Sequence, residues 1–285
     1  MGFYKEHREQ IEDLVALVKE ETKKEVILLK AEEDKEGSII SSKMKGSFYL
    51  PQKGSLPING RGDALALFAQ LNLEEVPKNS IYPKKGIIQF FIDPKDDLYG
   101  VDFSNQLSDE KKRVIYYPNI EDHYKREELE KIYPHSFSEP FGPLQGNISF
   151  ALSFEKKEES IFLDDYRFDP YFANKWNSLF PEYKIEEAYD LNSLDRDLFS
   201  MIEDEFTILD DLSKIGGYSY FTQEDPRKME QYSAYSELLF QLDSYGFDEP
   251  FDVMWGDAGI GAFFATKEQL ELMNFAQCLY HWDCG

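Results

Sequence analysis

Cysteine is almost missing from this chain: Cys278 and Cys284 are the two among 285 residues. They are too few and too closely spaced for a disulfide framework, and no Cys-x-x-Cys pair offers a zinc ribbon or redox motif. That usage fits a reducing compartment. Long apolar runs are missing too, and none approaches the ~20 residues of a membrane-spanning helix. The opening Met-Gly-Phe-Tyr-Lys-Glu-His-Arg-Glu-Gln has neither the apolar stretch nor the cleavage site of a signal peptide. Gly2 lacks the downstream Ser or Thr of a myristoylation site. The expectation is a cytoplasmic protein with no membrane partner.

Positive charge is scarce as well. Lys and Arg number 31 against 55 Asp and Glu, for a net charge of −24, which repels nucleic-acid phosphates and sets nucleic acid aside as a partner. Such a charge either keeps the protein soluble or forms an acidic face for a basic protein partner. The four histidines, at 7, 123, 135 and 281, show no His-x-x-x-His or His-Glu spacing, so no zinc site of the familiar enzyme type is expected. Asp93, Asp96, Asp97 and Asp102 gather carboxylates near Gly100 without the spacing of a calcium loop and read as a solvated acidic turn. The glycines from 256 to 261 lack the Gly-x-Gly-x-x-Gly order of dinucleotide folds. No metal and no cofactor is expected. Arg61-Gly62-Asp63 and the sequon at Asn147 are chance matches in a chain read as cytoplasmic.

What is present is mostly strand-like. Ile11, Leu14, Val15 and Val18 stand at helical spacing, which predicts an amphipathic helix within residues 1–24, packed as a cap on a sheet. Glu25 to Lys30 reads as a short buried strand before a charged turn at 32–37. Leu65, Leu67, Ala69, Leu71 and Leu73 alternate strictly, as in a half-buried strand, and Ile87 to Ile92 is a continuous apolar run but for Gln89.

Short blocks recur in the same order in both halves. Ser42-Lys-Met-Lys-Gly46-Ser-Phe-Tyr49 matches Ser213-Lys-Ile-Gly-Gly217-Tyr-Ser-Tyr220. Leu67-Phe68-Ala-Gln70-Leu71-Asn72 matches Leu239-Phe240-Gln241-Leu242-Asp243 with one residue deleted, and Gly86-Ile-Ile-Gln-Phe90-Phe91 matches Gly259-Ile-Gly-Ala-Phe263-Phe264. A helix start follows each copy, with Asp93-Pro94 as N-cap and first helical residue, and Thr266-x-x-Gln269 as a capping box. Val114-Ile115-Tyr116-Tyr117 and Cys278-Leu279-Tyr280-His281 close the units. The fold class this implies is α+β, mainly β: roll-like antiparallel sheets from two diverged internal repeats, with peripheral helices. One domain, 1–285, is expected, with repeats at 38–117 and 213–285 packed about a pseudo-twofold axis over a shared aromatic core. The insert at 118–212 has a helical segment near His123 to Ile132, a strand at Ile148 to Phe154 and acidic helices toward Leu212. It holds family-specific function or is a plain connector.

The same residues carry a resemblance. Gly216-Gly-Tyr218, Phe221-Thr-Gln-Glu-Asp225-Pro-Arg227, Met254-Trp-Gly-Asp257-x-Gly259-Ile and the ending Leu279-Tyr-x-Trp282-Asp-Cys284 resemble the bacterial YwqG-like family, a domain of unknown function. Leu67-x-Ala69-Gln70-Leu71-Asn72-Leu73, Gly86-Ile-x-Gln89-Phe90 and Asp96-Asp97-x-Tyr99-Gly100 are similar to its pattern as well. The resemblance runs from about residue 40 to the end, outside the insert. It implies a mainly β, roll-like single domain and no activity.

The chemistry is therefore argued from the residues. Asp225, Arg227, Trp255, Trp282, His281, Asp283, Asp257 and Cys284 could converge at one end of a sheet, if the last strand pairs beside the strand after Gly259. A hydrolase would use Asp257 or Asp283 as general base, His281 as acid partner and Cys284 as nucleophile. The structural alternative makes Asp257 the cap of a tight turn and Asp225-Pro226-Arg227 a turn locked by an ion pair. Gln70 and Gln241 stand inside apolar strands, where an unpaired buried amide costs about 1–3 kcal/mol. Either they bond to each other or to backbone across the axis, or they line a polar ligand pocket. The preferred reading is a non-catalytic interaction module, immunity- or adaptor-like, whose acidic surface meets a basic protein; the alternative is the hydrolase.

Overall fold

The computed structural model describes residues 2–34, 37–135, 137, 139–145, 149–207, 210, 212–244 and 253–285. The strands are β1 (Lys24–Asp34), β2 (Lys43–Met44), β3 (Ala66–Asn72), β4 (Ile87–Ile92), β5 (Lys112–Tyr117), β6 (Ser149–Glu159), β7 (Lys214–Gly216), β8 (Glu237–Asp243), β9 (Ile260–Ala265) and β10 (Leu279–Asp283). All join one antiparallel sheet in the order β10-β9-β8-β7-β1-β6-β2-β3-β4-β5, curled into a half-barrel. The helices are α1 (Phe3–Glu21), α2 (Arg126–Ile132), α3 (Phe168–Leu179), α4 (Leu191–Leu194), α5 (Arg196–Phe206) and α6 (Lys267–Leu272). Among the described residues no helix is long and apolar enough to cross a membrane.

The middle of the sheet is the long pair β1–β6, in register from Lys24↔Glu159 to Asp34↔Ser149. β1 therefore extends past the expected 25–30 into the stretch read as a turn, of which residues 35–36 lie outside the described residues. β6 runs beyond Phe154 to Glu159, and Ile148 lies outside the described residues. The stretch 118–212 is thus no plain connector, because its own strand sits between the two arms of the sheet. One arm runs β2-β3-β4-β5 and the other β7-β8-β9-β10, and the matched sequence blocks fall on corresponding strands of the two. Curling brings their inner faces together: Phe68 and Phe90 meet Phe240 at ring-centroid distances of 5.8 and 5.2 Å, and Phe90 meets Phe263 at 5.0 Å.

β3 is not the half-buried strand its alternation suggests, since every residue from Ala66 to Asn72 is buried. A bulge between Leu67 and Ala69 explains the difference. Before it, Leu65 and Leu67 point outward to pack with Phe48, Phe91 and Leu129 of α2; after it, Ala69, Leu71 and Leu73 join the inner core. One extra residue thus lets a single leucine-rich run serve both faces of the sheet. β8 carries a bulge at the corresponding place, between Leu238 and Phe240.

α1 buries Ile11, Leu14, Val15 and Val18, the residues its periodicity selects. It does not cap the sheet, however. Those side chains share a separate core with Phe168, Phe172 and Trp176 of α3 and Leu198, Ile202 and Phe206 of α5. The Asp195 carboxylate ties the two units together, accepting from Asp197 N at the start of α5 (3.0 Å) and from Tyr4 N (2.9 Å). α6 begins at Thr266 with the expected capping box. No helix follows Asp93. Its Oδ1 instead accepts from Lys95 N (3.0 Å) in a turn, and its buried Oδ2 takes Asn59 and Arg61, each at 2.9 Å, so this is not a solvated acid.

Candidate functional site

β10 pairs with β9, which brings much of the C-terminal set together. Its firmest element is Asp225-Pro226-Arg227, a single 3-10 turn with Asp225 as N-cap. Asp225 Oδ1 accepts from Arg227 N and Nε, both at 2.9 Å, and Oδ2 from Arg227 Nη2 at 2.6 Å. Arg227 is 1 % exposed, so its charge is matched inside the protein. Asp165, from the stretch before α3, adds a second carboxylate 3.3 Å from Nη2 and forks onto Arg167 at 2.7 Å through each oxygen. Burial pushes the Asp165 carboxyl up, but the hydrogen bonds and charges of Arg167 and Arg227 outweigh it and hold the group below the usual carboxylate range. The guanidinium of Arg227 lies 4.5 Å from the Phe264 ring centroid of β9. The pair therefore welds the helical insert to the sheet, and nothing in it is free to react.

The residues read as catalytic do not form a relay. Both Asp283 oxygens are committed to backbone amides, Oδ1 to Thr222 N (3.1 Å) and Oδ2 to Gln223 N (2.9 Å). His281 Nε2 stands 4.0 Å from Asp283 Oδ2, and neither buried ring nitrogen has a hydrogen-bond partner among the described residues. Burial drives the His281 pKa down, against the pull of the Asp283 and Asp225 charges, which favours the neutral ring. Asp257 is exposed, and its carboxylate caps no amide among the described residues; the turn is closed by Gly259 N donating to Trp255 O (2.8 Å). Cys284 is half-buried against Gly256, where a Cβ would come within 2.7 Å of Sγ. The tail is tied down by Gln223 Nε2 donating to Cys284 O (2.7 Å). Among the described residues no hydrogen bond joins any two of Asp257, His281 and Cys284.

Trp255 is fully buried between the arms, with its ring 5.7 Å from Phe68 and 6.1 Å from Trp282. Trp282 is half-buried and donates from Nε1 to Leu98 O (2.9 Å), anchoring the first arm's long loop to the edge strand of the second. Gln70 and Gln241 are fully buried, and among the described residues they do not bond to each other; each is satisfied within its own arm. Gln70 Oε1 accepts from Tyr49 N (2.8 Å) and Gln89 Nε2 (2.7 Å), while its Nε2 donates to Ile39 O and Ser41 O. Gln241 Oε1 accepts from Tyr220 N (3.1 Å) and its Nε2 donates to Leu212 O (2.7 Å). Each holds down the chain flanking the short strand of its own arm.

Sequence reasoning missed a recess of about 200 Å³ between the insert and the Asp225 turn. Its walls include Asp164, Asp169, Glu187 and Glu224, with Tyr189 and Phe199 meeting edge to face at 5.4 Å and Lys228 at the side. Burial pushes the Asp164 carboxyl up; Lys228 counters this, while Glu203, Asp169 and Asp283 add to it. Between residues 161 and 212 the chain has fourteen acids against four bases, and this is the only signal in the sequence that could have pointed here. Which of those acids converge depends on how the helices pack against a turn far along the chain. Among the described residues no group of three or more His, Cys, Asp and Glu is placed to hold a metal.

The family described as Domain of unknown function (DUF1963) matches residues 42–284, a span that takes in both arms and the whole insert but leaves out α1 and β1. No curated protein matches the chain.

Proposed function

The chain belongs to the DUF1963 family, and from that premise we propose that it is a non-catalytic interaction module whose helical insert offers an acidic face to a basic protein partner. The observation that supports this is the concentration of charge: fourteen acids against four bases within 161–212. Many of these acids, among them Glu186, Glu187, Glu203 and Asp204, are exposed on the helical unit, whereas Glu205 pairs with Lys19 of α1. Opposed charge of this kind steers encounter and sets orientation more than it adds affinity. The exposed Tyr189 beside the acidic recess supplies an apolar anchor of the type that interfaces use. The same proposal includes an immunity- or adaptor-like role in the bacterial cytoplasm, the YwqG-like assignment, and the origin of the two arms as diverged copies of one unit.

The hydrolase alternative draws on His281 alone, because Asp283, its nearest acid, already caps two amides. Zero-length carbodiimide cross-linking in the protein's own cell extract tests the interaction reading. It joins carboxylates to amines in contact, and the expected product links a partner's lysines to Glu186, Glu187, Glu203 or Glu224. Links confined to acids outside 161–228, or none at all, count against the reading.

A further inference from the structure

β7 has three residues, whereas its neighbours β1 and β8 both continue past its end. Pairing between β1 and β7 covers Val26 to Leu28, and one further bond follows, from Leu29 N to Ser213 O (2.9 Å). Where β7 stops, a recess of about 340 Å³ opens between β1 and β8. Its apolar wall is Leu29, Ala31, Met44, Leu152, Leu212 and Leu242, and its polar members are Lys30, Ser213 and Asp243.

Asp243 is the unusual member. Its Oδ1 accepts from Ser244 N (2.9 Å), and no cation stands within ion-pair distance among the described residues. Of the residues lining the recess Lys30 alone is basic, and its ammonium is turned to Glu155 (2.6 Å). Burial pushes the Asp243 carboxyl up to about 6. Asn72 takes the corresponding place in the other arm: Ser42 Oγ accepts from Asn72 N (2.9 Å) as Ser213 Oγ accepts from Asp243 N (3.1 Å). A neutral amide therefore serves the backbone equally well at this position, and the charge at 243 answers no need of the fold. A half-buried carboxylate without a counter-ion among the described residues, on the wall of an apolar recess, is complementary to a cation carried on an apolar stem.

We propose that this recess binds a primary ammonium group on a short aliphatic chain, with Asp243 as its counter-ion. Ser213 gives the ammonium a second acceptor, and Met44, Leu152 and Leu242 cover the methylene stem. The chemistry is that of a free alkylamine or of a lysine side chain on another protein. The site is independent of the acidic helical face.

Calorimetry on the full chain with hexylammonium, hexanol and Nα-acetyl-lysinamide tests the proposal. Hexylammonium should bind, hexanol should bind about tenfold more weakly or less, and Asp243→Asn should cost hexylammonium about tenfold or more. Leu152→Trp, which fills the recess, should abolish binding while leaving the carboxyl of Asp243 in place. Affinity for the lysine derivative equal to or above that of hexylammonium assigns the site to a protein side chain; preference for hexylammonium assigns it to a free amine. Equal binding of hexanol, an unchanged affinity in Asp243→Asn or Leu152→Trp, or no heat with any probe overturns the proposal.

Discussion

Arg227 Nη2 lies 2.6 Å from Asp225 Oδ2 and 3.3 Å from Asp165 Oδ2, in a pocket where all three side chains are at most 1 % exposed. A guanidinium with two carboxylates in such a place acts as a fastener between the helical insert and the second arm. Breaking a buried pair by removing one partner leaves the other charged and desolvated, at a cost of about 3–5 kcal/mol. Arg227→Met should lower stability by that amount in urea unfolding, and a change below about 1 kcal/mol would contradict the fastener role.

The two buried glutamines should differ in weight. Gln241→Leu strips partners from Tyr220 N and Leu212 O, whereas Gln70→Leu strips them from Tyr49 N, Ile39 O and Ser41 O and takes one of two acceptors from Gln89 Nε2, which keeps Tyr49 O. At about 1–3 kcal/mol for each buried group left unpaired, both variants should melt lower than the wild type and Gln70→Leu lower than Gln241→Leu. Thermal shift reads this directly, and unchanged melting in both would remove the structural role of the amides.

Gly261 has no room for a side chain. A Cβ there would sit 2.3 Å from the Trp255 ring, a core residue that cannot move aside. Gly261→Ala should therefore destabilise by about 1–3 kcal/mol through overpacking. Trp255→Phe in the same background should recover part of the loss, since it removes the ring atoms in the way.

Asp243 gives a pH signature. Its folded value is raised from an ordinary 3.8 to about 6, so the folded state holds its proton more tightly than the unfolded chain. Whatever it contributes is fully present below about pH 4 and is lost as pH rises through about 6. Asp243→Asn should match the wild type near pH 4 and exceed it near pH 7.5, by on the order of 1 kcal/mol once the group's partial exposure is allowed for. Denaturant curves at the two pH values check the sign, and a variant less stable at pH 7.5 would reverse it.

The parts of the fold legible in the sequence are those decided by neighbours in the chain. The apolar run at 87–92, interrupted by Gln89 alone, is β4 to the residue, and Thr266-x-x-Gln269 starts α6 because a capping box is local chemistry. β3 shows where this stops. Its leucines alternate, but the bulge at Phe68 depends on pairing with β4, so a pattern read as one half-buried face divides between two cores. α1 was equally legible as a helix and illegible in its contacts, since Ile11 or Val18 would fit a sheet as readily as α3 and α5. The Asp225–Arg227 turn could be anticipated from three adjacent residues, whereas the Asp165 that completes it comes from the insert. Asp283 and Asp257 mark the same limit at the candidate site. Both looked free to act, yet one caps amides of residues 222 and 223 and the other points to solvent.

Affinity capture of the tagged protein from its own cell extract, across a salt series and beside a Glu186→Gln/Glu187→Gln/Glu203→Gln/Glu224→Gln variant, tests the interaction reading most directly. A basic protein retained at low salt, released as salt rises and lost with the variant is the predicted result. A partner that binds both forms alike at every salt concentration would contradict it.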